Sequence, residues 1–236
     1  MGGGAVMTLI IQKPSASRLT LKRGTAMSWV ITGTQKYPAV IGEPFGGGYF
    51  AGYISHTADG NPTHALIVAP KATGEAGSLQ WKTANTETSG TSSVYDGVAN
   101  TAAMVAAGIN DHPAAKFCTE LTIGGFTDWY LPSRDELNIA YFNLKPTTAL
   151  NTSNKGANLY SVPQRPDNWT TDYPAQTYVA DFASGGAQFF ALTSLFMSTE
   201  TNATTAWGIN FSTGNIVNDF TKTTALTVRA FRRIAL

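Results

Sequence analysis

The chain has 236 residues, of which 13% are charged, a net charge of +1 and a single cysteine. That charged fraction is about half of the roughly 25% usual in soluble domains, and the near-neutral balance offers no basic footprint for nucleic acid or for an anionic membrane surface. One cysteine excludes an internal disulfide framework and a thiolate metal cluster within one chain. No run approaches the ~18 apolar residues of a membrane span, and MGGGAVMTLIIQKPS lacks the basic start and long apolar stretch of a secretion signal. Thr, Ser, Asn and Gly stand where charge is missing, a composition that suits β-rich proteins of extracellular or particle surfaces.

Taken in order, residues 1–35 read as a small β arm with strands at 9–11, 18–22 and 27–32. So small a sheet needs a covering surface, which predicts docking on another chain or packing on the downstream domain. Residues 36–94 read as a β-rich connecting region. Gly46-Gly47-Gly48 lacks the Gly-Lys-Ser/Thr ending of a phosphate loop and is expected to turn the chain into a strand. Residues 49–54 and 65–68 then form a hairpin across a polar loop that holds His56 and Asp59, with His64 at its end. Those three could meet a metal, yet no further convergent ligand is visible, and neither a metal nor a cofactor is expected. After Trp81, a Thr/Ser/Asn stretch to Ser93 reads as surface loop.

Asn100 is placed to cap a short helix over 101–107. A second follows Asp111 and Pro113 with its apolar stripe at Ala114, Phe117, Cys118 and Leu121, which makes Cys118 a buried small hydrophobe. In GGFTDWYLPSRDELNIAYFNLKP, 124–146, Pro132 stops an extended run and Ser133 with Glu136 forms a capping box. The stripe Leu137, Ala140, Tyr141, Leu144 then runs to Pro146 on one face of a helix. Residues 147–187 are long polar loops carrying Trp169, Tyr173, Tyr178 and Phe182 among short polar side chains, which is either the kit of a recognition surface or a set of rings that pin the loops to the core. Strands are expected at 189–192, 195–198, 206–211, 216–220 and 226–234, with a hairpin turn at Ser212 to Asn215. Arg229, Arg232 and Arg233 are expected to pair with the chain's own carboxylates, Glu120, Asp128 and Asp135 being candidates.

Residues 95–234 resemble the family named after the C-terminal domain of a bacterial collagen-like adhesin (Lcl C-terminal). Gly125, Asp128, Trp129, Leu131, Pro132, Ser133, Glu136 and Leu137 carry one part of the resemblance. Ser198-Thr199-Glu200, Trp207, Gly214, Val228-Arg229 and Arg232 carry the other. It implies an α+β, C-type-lectin-like domain over 95–236, with two helices bracing a twisted antiparallel sheet and long loops that display a ligand surface. Structural signature residues would be Asp128, Trp129, Pro132, Ser133, Glu136, Trp207 and Arg229. Relatives occur among bacterial adhesins and phage virion proteins. The calcium motifs of sugar-binding animal lectins are missing, Arg165-Pro166-Asp167 and Trp169 to Asp172 being no equivalents, so calcium-dependent binding is not implied.

The expectation is therefore a non-enzymatic phage tail or fibre protein located in the virion. Its N-terminal arm would dock on other virion proteins and its loops would bind a host surface glycan or protein. The expected contacts are Asn168, Trp169, Asp172, Tyr173, Asn202, Thr204, Asn210 and Asn215. A homo-oligomer, guessed as a trimer, fits that role, with neither nucleic-acid binding nor membrane insertion. The alternatives are a structural decoration or collar protein and a bacterial surface adhesin. For an enzyme, His56, His64 and His112 lack an obvious Ser or Cys partner.

Overall fold

A computed structural model describes residues 37–236 and, before them, the two-residue strands β1 (Lys22–Arg23) and β2 (Trp29–Val30), which pair antiparallel. The rest of the expected docking arm lies outside the described residues. The chain divides into two units between Ala39 and Val40.

The second unit is a mixed α+β domain of two sheets and few helices. In chain order it comprises β3 (Pro44–Phe45), β4 (Gly48–Ile54), β5 (His64–Val68), the single turn α1 (Lys71–Gly74) and β6 (Glu75–Gln80). The helices α2 (Gly97–Gly108), α3 (Pro113–Thr119) and α4 (Arg134–Leu144) follow. The chain ends with β7 (Ser161–Val162), β8 (Ser194–Glu200), β9 (Thr205–Asn210), β10 (Ile216–Thr221), β11 (Ala225–Arg229) and β12 (Phe231–Ala235). One sheet runs β12-β5-β4-β3 with β7 also on β4; the other runs β10-β9-β8-β11-β6. All pairs are antiparallel except β11 with β8.

No boundary falls near residue 94. β12, at the C-terminus, pairs along β5, and β11 pairs with β6, so the expected connecting region supplies strands to both sheets. The single strand expected over 226–234 is two strands broken at buried Ala230, one in each sheet. The expected strand at 189–192 is absent: Phe190 is fully buried there, in irregular chain leading to β8.

The central strands are buried on both faces. In β5, Leu66 and Val68 enter one core, with Ile54, Leu137, Tyr141, Phe190, Leu195 and Phe211; Ala65 and Ile67 enter the other, with Trp81, Met104, Cys118, Trp129, Leu131 and Phe196. Strands covered on both sides read as unbroken apolar runs rather than alternation, which is why ALIVA and SLFM stand out in the sequence. α4 lies against β4, β8 and β9, while α2 packs on β8 and α3 on β6.

α4 keeps its predicted start. The Ser133 N–H and hydroxyl both donate to the Glu136 carboxylate, at 2.8 and 3.0 Å, within a capping box. The Tyr130 hydroxyl donates to the same carboxylate at 2.8 Å and the Gly97 N–H at 3.2 Å, so one buried acid ties α4 to the extended run and to the start of α2. Burial pushes Glu136 up to about 7 against those donors. The N-cap of α2 is Asp96, which accepts from Ala99, not Asn100; Asn100 is buried inside the helix and donates to Ser93 and Ser198. α2 thus starts four residues earlier than expected, whereas α3 starts one residue later, after His112.

The terminal arginines are ion-paired, though mostly with other acids than expected. Arg229 is buried against Glu75 at 2.9 Å, Arg233 meets Asp96 at 2.8 Å, and Arg232 pairs with Asp128. Glu120 and Asp135 pair instead with Lys116 and Arg134. Trp129 is buried and its indole N–H donates to the Phe126 carbonyl.

Candidate functional site

The loops between α4 and β8 are built rather than slack, and two buried asparagines fix them. Asn151 accepts from the Tyr141 hydroxyl at 2.8 Å and donates to the carbonyls of Thr170 and Pro174. Asn158 donates to the Asp135 carbonyl and to Asn138, accepts from the N–H groups of Tyr160 and Ser161, and exchanges both backbone hydrogen bonds with Arg165. A buried amide with its donors and acceptors all used holds a single arrangement of the chain around it. Neither asparagine is recognisable as a hub from sequence, because nothing local distinguishes it from the many others in these loops.

Between α4 and these loops lies a groove of about 440 Å³, lined among others by Phe142, Val162, Pro163, Arg165, Pro166 and Tyr173. The Arg165 guanidinium sits 4.0 Å from the Phe142 ring centre, and Tyr173 meets that ring edge-on at 5.2 Å. Arg165 donates to Asn138 at 2.9 Å, while its Nε is buried without a partner. Burial lowers Arg165 to about 10, with Tyr173 and Asp135 acting the other way.

Of the eight contacts expected from sequence, Asn168, Trp169 and Tyr173 line this groove. Tyr173 is 59% exposed, but Trp169 is only 6% exposed, stacked on Tyr141 at 4.7 Å within the core. Trp169 is therefore mainly a packing residue that the groove rests on, which corrects its assignment as an open contact. Phe182 is buried as well, whereas Tyr178 is 80% exposed. Asn168 is exposed and accepts from the Ala157 N–H; Asp172 is exposed beside Tyr173.

The remaining four lie on hairpin turns and line neither this groove nor the smaller pocket beside it. Asn202 accepts from the N–H groups of Thr204 and Thr205, and Asn210 from those of Ser212 and Thr213, so both side chains shape their own turns. Asn215 is exposed, and its carbonyl accepts from Asn210. In that turn Gly214 has φ +68°, and a Cβ there would lie 2.6 Å from the Tyr141 hydroxyl.

The smaller pocket, about 260 Å³, adjoins the groove, and Asn168 lines both. Its other lining includes Arg134, Asn154, Lys155 and Trp207. Trp207 is thus half-buried beneath polar side chains, and not only a strand residue of the fold.

No family model matches the chain, and no curated protein matches it. Among solved structures, a fimbrial protein from Bacteroides ovatus is similar over 91% of this chain and 48% of its own, with a TM-score of 0.45 and 14% identity. This chain thus spans about half the length of that protein, and the likeness is too distant to carry a function.

The histidine loop holds a different arrangement from a metal site. Among the described residues no three His, Cys, Asp or Glu side chains gather as a metal would require. Asp59 accepts from Ser55 and Asn61. The His56 and His64 rings lie 4.5 Å apart, and Arg233 Nη1 is 3.2 Å from His56 Nε2 while it donates to Asp96. Burial, then Arg233 and His64, lowers His56 to about 4, and burial lowers His64 too. A histidine depressed below its unfolded value of about 6.5 contributes stability that is complete above that pH and is lost as pH falls toward 4. Urea unfolding at several pH values is expected to show the wild type losing on the order of 2 kcal/mol across this window that His56→Gln retains, after allowance for partial screening. Equal pH slopes for the two proteins would refute the assignment. Glu136, raised into the same window, is common to both and cancels in the difference.

Proposed function

We propose that this chain is a non-enzymatic attachment protein whose residues 40–236 form a C-type-lectin-like binding domain. The groove beside Tyr173 takes a surface glycan. The observation that carries this reading is a preformed concave site with an exposed aromatic ring, a second ring beneath a guanidinium, and the polar side chains of Gln164, Asp167 and Asn168 in its lining. Rings that stack on sugar faces beside short amides and hydroxyls bind with little ordering cost. The signature residues support the lectin-like build: Asp128, Trp129, Pro132, Ser133 and Glu136 lead into α4, Arg229 anchors β11, and the groove loops stand on α4.

In this reading the protein is carried on a phage tail or fibre, where its N-terminal arm docks on other virion proteins. Many copies, for instance in a homotrimer, make weak single sites effective. A bacterial surface adhesin would use the same groove, and immunogold labelling of particles and cells separates the two carriers. A purely structural decoration protein is the second reading, and one observation favours it. Val98 and Val105 are exposed on α2, beside a hollow lined by Trp129 and Arg233, as a subunit contact would need.

Binding by the wild type decides between them, its absence favouring the structural reading, and the site is located by Tyr173→Ala. Its binding to intact bacteria or extracted surface polysaccharide is expected to fall roughly three- to tenfold, the value of one aromatic contact, with an unchanged melting temperature. Undiminished binding would move the site away from the groove.

A further inference from the structure

We propose that the glycan is acidic, a saccharide bearing hexuronate carboxylates, and that Lys155 with Arg134 and Trp207 reads the carboxylate. This rests on the attachment reading and adds the ligand's charge to it. The ground is the distribution of cations in residues 40–236. Lys71, Lys116, Arg134, Lys222, Arg229, Arg232 and Arg233 each lie against a carboxylate. Lys82 and Lys145 are buried, and their ammonium groups are taken up by carbonyls at Thr86, Glu87, Ala149 and Pro174. Among the described residues Lys155 and Arg165 remain outside these salt bridges, although Asp135 acts on Arg165 from further off. They occupy the two adjoining pockets on either side of Asn168.

The smaller pocket suits one negative charge. Its lining contains no carboxylate. Arg134 lies over the Trp207 ring at 5.3 Å and Lys155 at 5.8 Å. Arg134 shares its charge with buried Asp135 through bonds of 2.8 and 3.1 Å, which leaves the Lys155 ammonium in excess. Lys155 is exposed, and among the described residues no side chain or carbonyl is bonded to its ammonium. A hexuronate carries its carboxylate one bond from a rigid ring. The acid can therefore meet Lys155 while Asn154 and Asn168 reach ring hydroxyls and the next sugar enters the groove beside Tyr173.

The test is titration of the full chain with oligogalacturonate, neutral dextran oligomers and glycerol-phosphate teichoic acid, at two salt concentrations. Oligogalacturonate is expected to bind best and to weaken with salt. Lys155→Gln should cost about tenfold for it, the value of one charge-assisted hydrogen bond, and nothing for dextran, while Tyr173→Ala weakens both. If dextran binds equally well and Lys155→Gln changes neither, the acidic ligand is refuted while attachment stands. Tighter binding of teichoic acid refutes the carboxylate. If no saccharide binds and the chain adheres to no cells, the attachment reading fails with it; adhesion that Tyr173→Ala leaves intact refutes the groove as its site.

Discussion

Trp169→Ala is expected to lose roughly 3–5 kcal/mol, the usual cost of emptying a buried tryptophan site, and to lower the melting temperature by on the order of 10 °C in a domain of this size. The ring fills the space between Tyr141 and Gly156: it stacks on the first at 4.7 Å, and a Cβ on the second would come within 2.0 Å of it. Gly156→Ala should therefore be destabilising as well, because either the ring or the loop backbone must shift. Tyr173→Ala, a few residues away at an exposed ring, should leave stability within about 0.5 kcal/mol of wild type. Thermal scans of the three variants check this. A Trp169→Ala protein that melted with the wild type would mean the ring is not packed as described. The consequence for function is practical: loss of binding in a Trp169 variant reports unfolding of the site's floor, and only Tyr173 tests contact.

How the chain gave these parts away differs from residue to residue. The start of α4 is legible because a capping box is a local object: Ser133, Glu136 and the stripe after them are fixed by spacing alone. The strands of β8 to β10 are legible for the same reason, with Gly214 marking their turn. The break at Ala230 is not, since nothing local in LTVRAFRRIA tells that its two halves join different sheets; that depends on β5 and β6 being there to pair. Phe189 to Leu192 misled because apolar, aromatic chain looks like a strand whether its backbone meets a partner or its rings alone meet the core. Trp169 and Tyr173 illustrate the limit for the site. Both sit in the same polar, aromatic loop, and only Gly156 and Tyr141, brought in from elsewhere, decide which ring is covered. The cationic pocket at Lys155 has the same origin, as it joins α4, β9 and a loop that are separate in sequence.

Glu200→Ala is expected to be among the most damaging single substitutions outside the aromatic core, again roughly 3–5 kcal/mol, because it strands a buried ammonium. Lys222 is fully buried, ion-paired with Glu200, bonded to the Thr86 carbonyl at 2.9 Å and placed 4.6 Å from the Trp81 ring. Glu200 also accepts from the Thr88 N–H and from the Thr91 hydroxyl at 2.7 Å, so it holds the 82–93 segment down as well as neutralising the lysine. That segment, read as plain surface loop, in fact buries Thr88 and Thr91 at this knot. Burial already lowers the Lys222 pKa, with Glu200 raising it; without the carboxylate the amine is driven toward its neutral form. Stability of Glu200→Ala should then recover in part as pH rises, since the folded state no longer has to hold a buried charge while the unfolded lysine keeps its proton until about pH 10.4. Replacing both partners, as Glu200→Leu with Lys222→Met, should restore much of the loss by removing the charge altogether. Amide exchange separates the two roles of the acid. In the double variant Thr88 and its neighbours should exchange faster than in the wild type although global stability has returned, because the methyl groups of leucine accept nothing. Slow exchange there would show that packing on Trp81, rather than Glu200, fixes the loop.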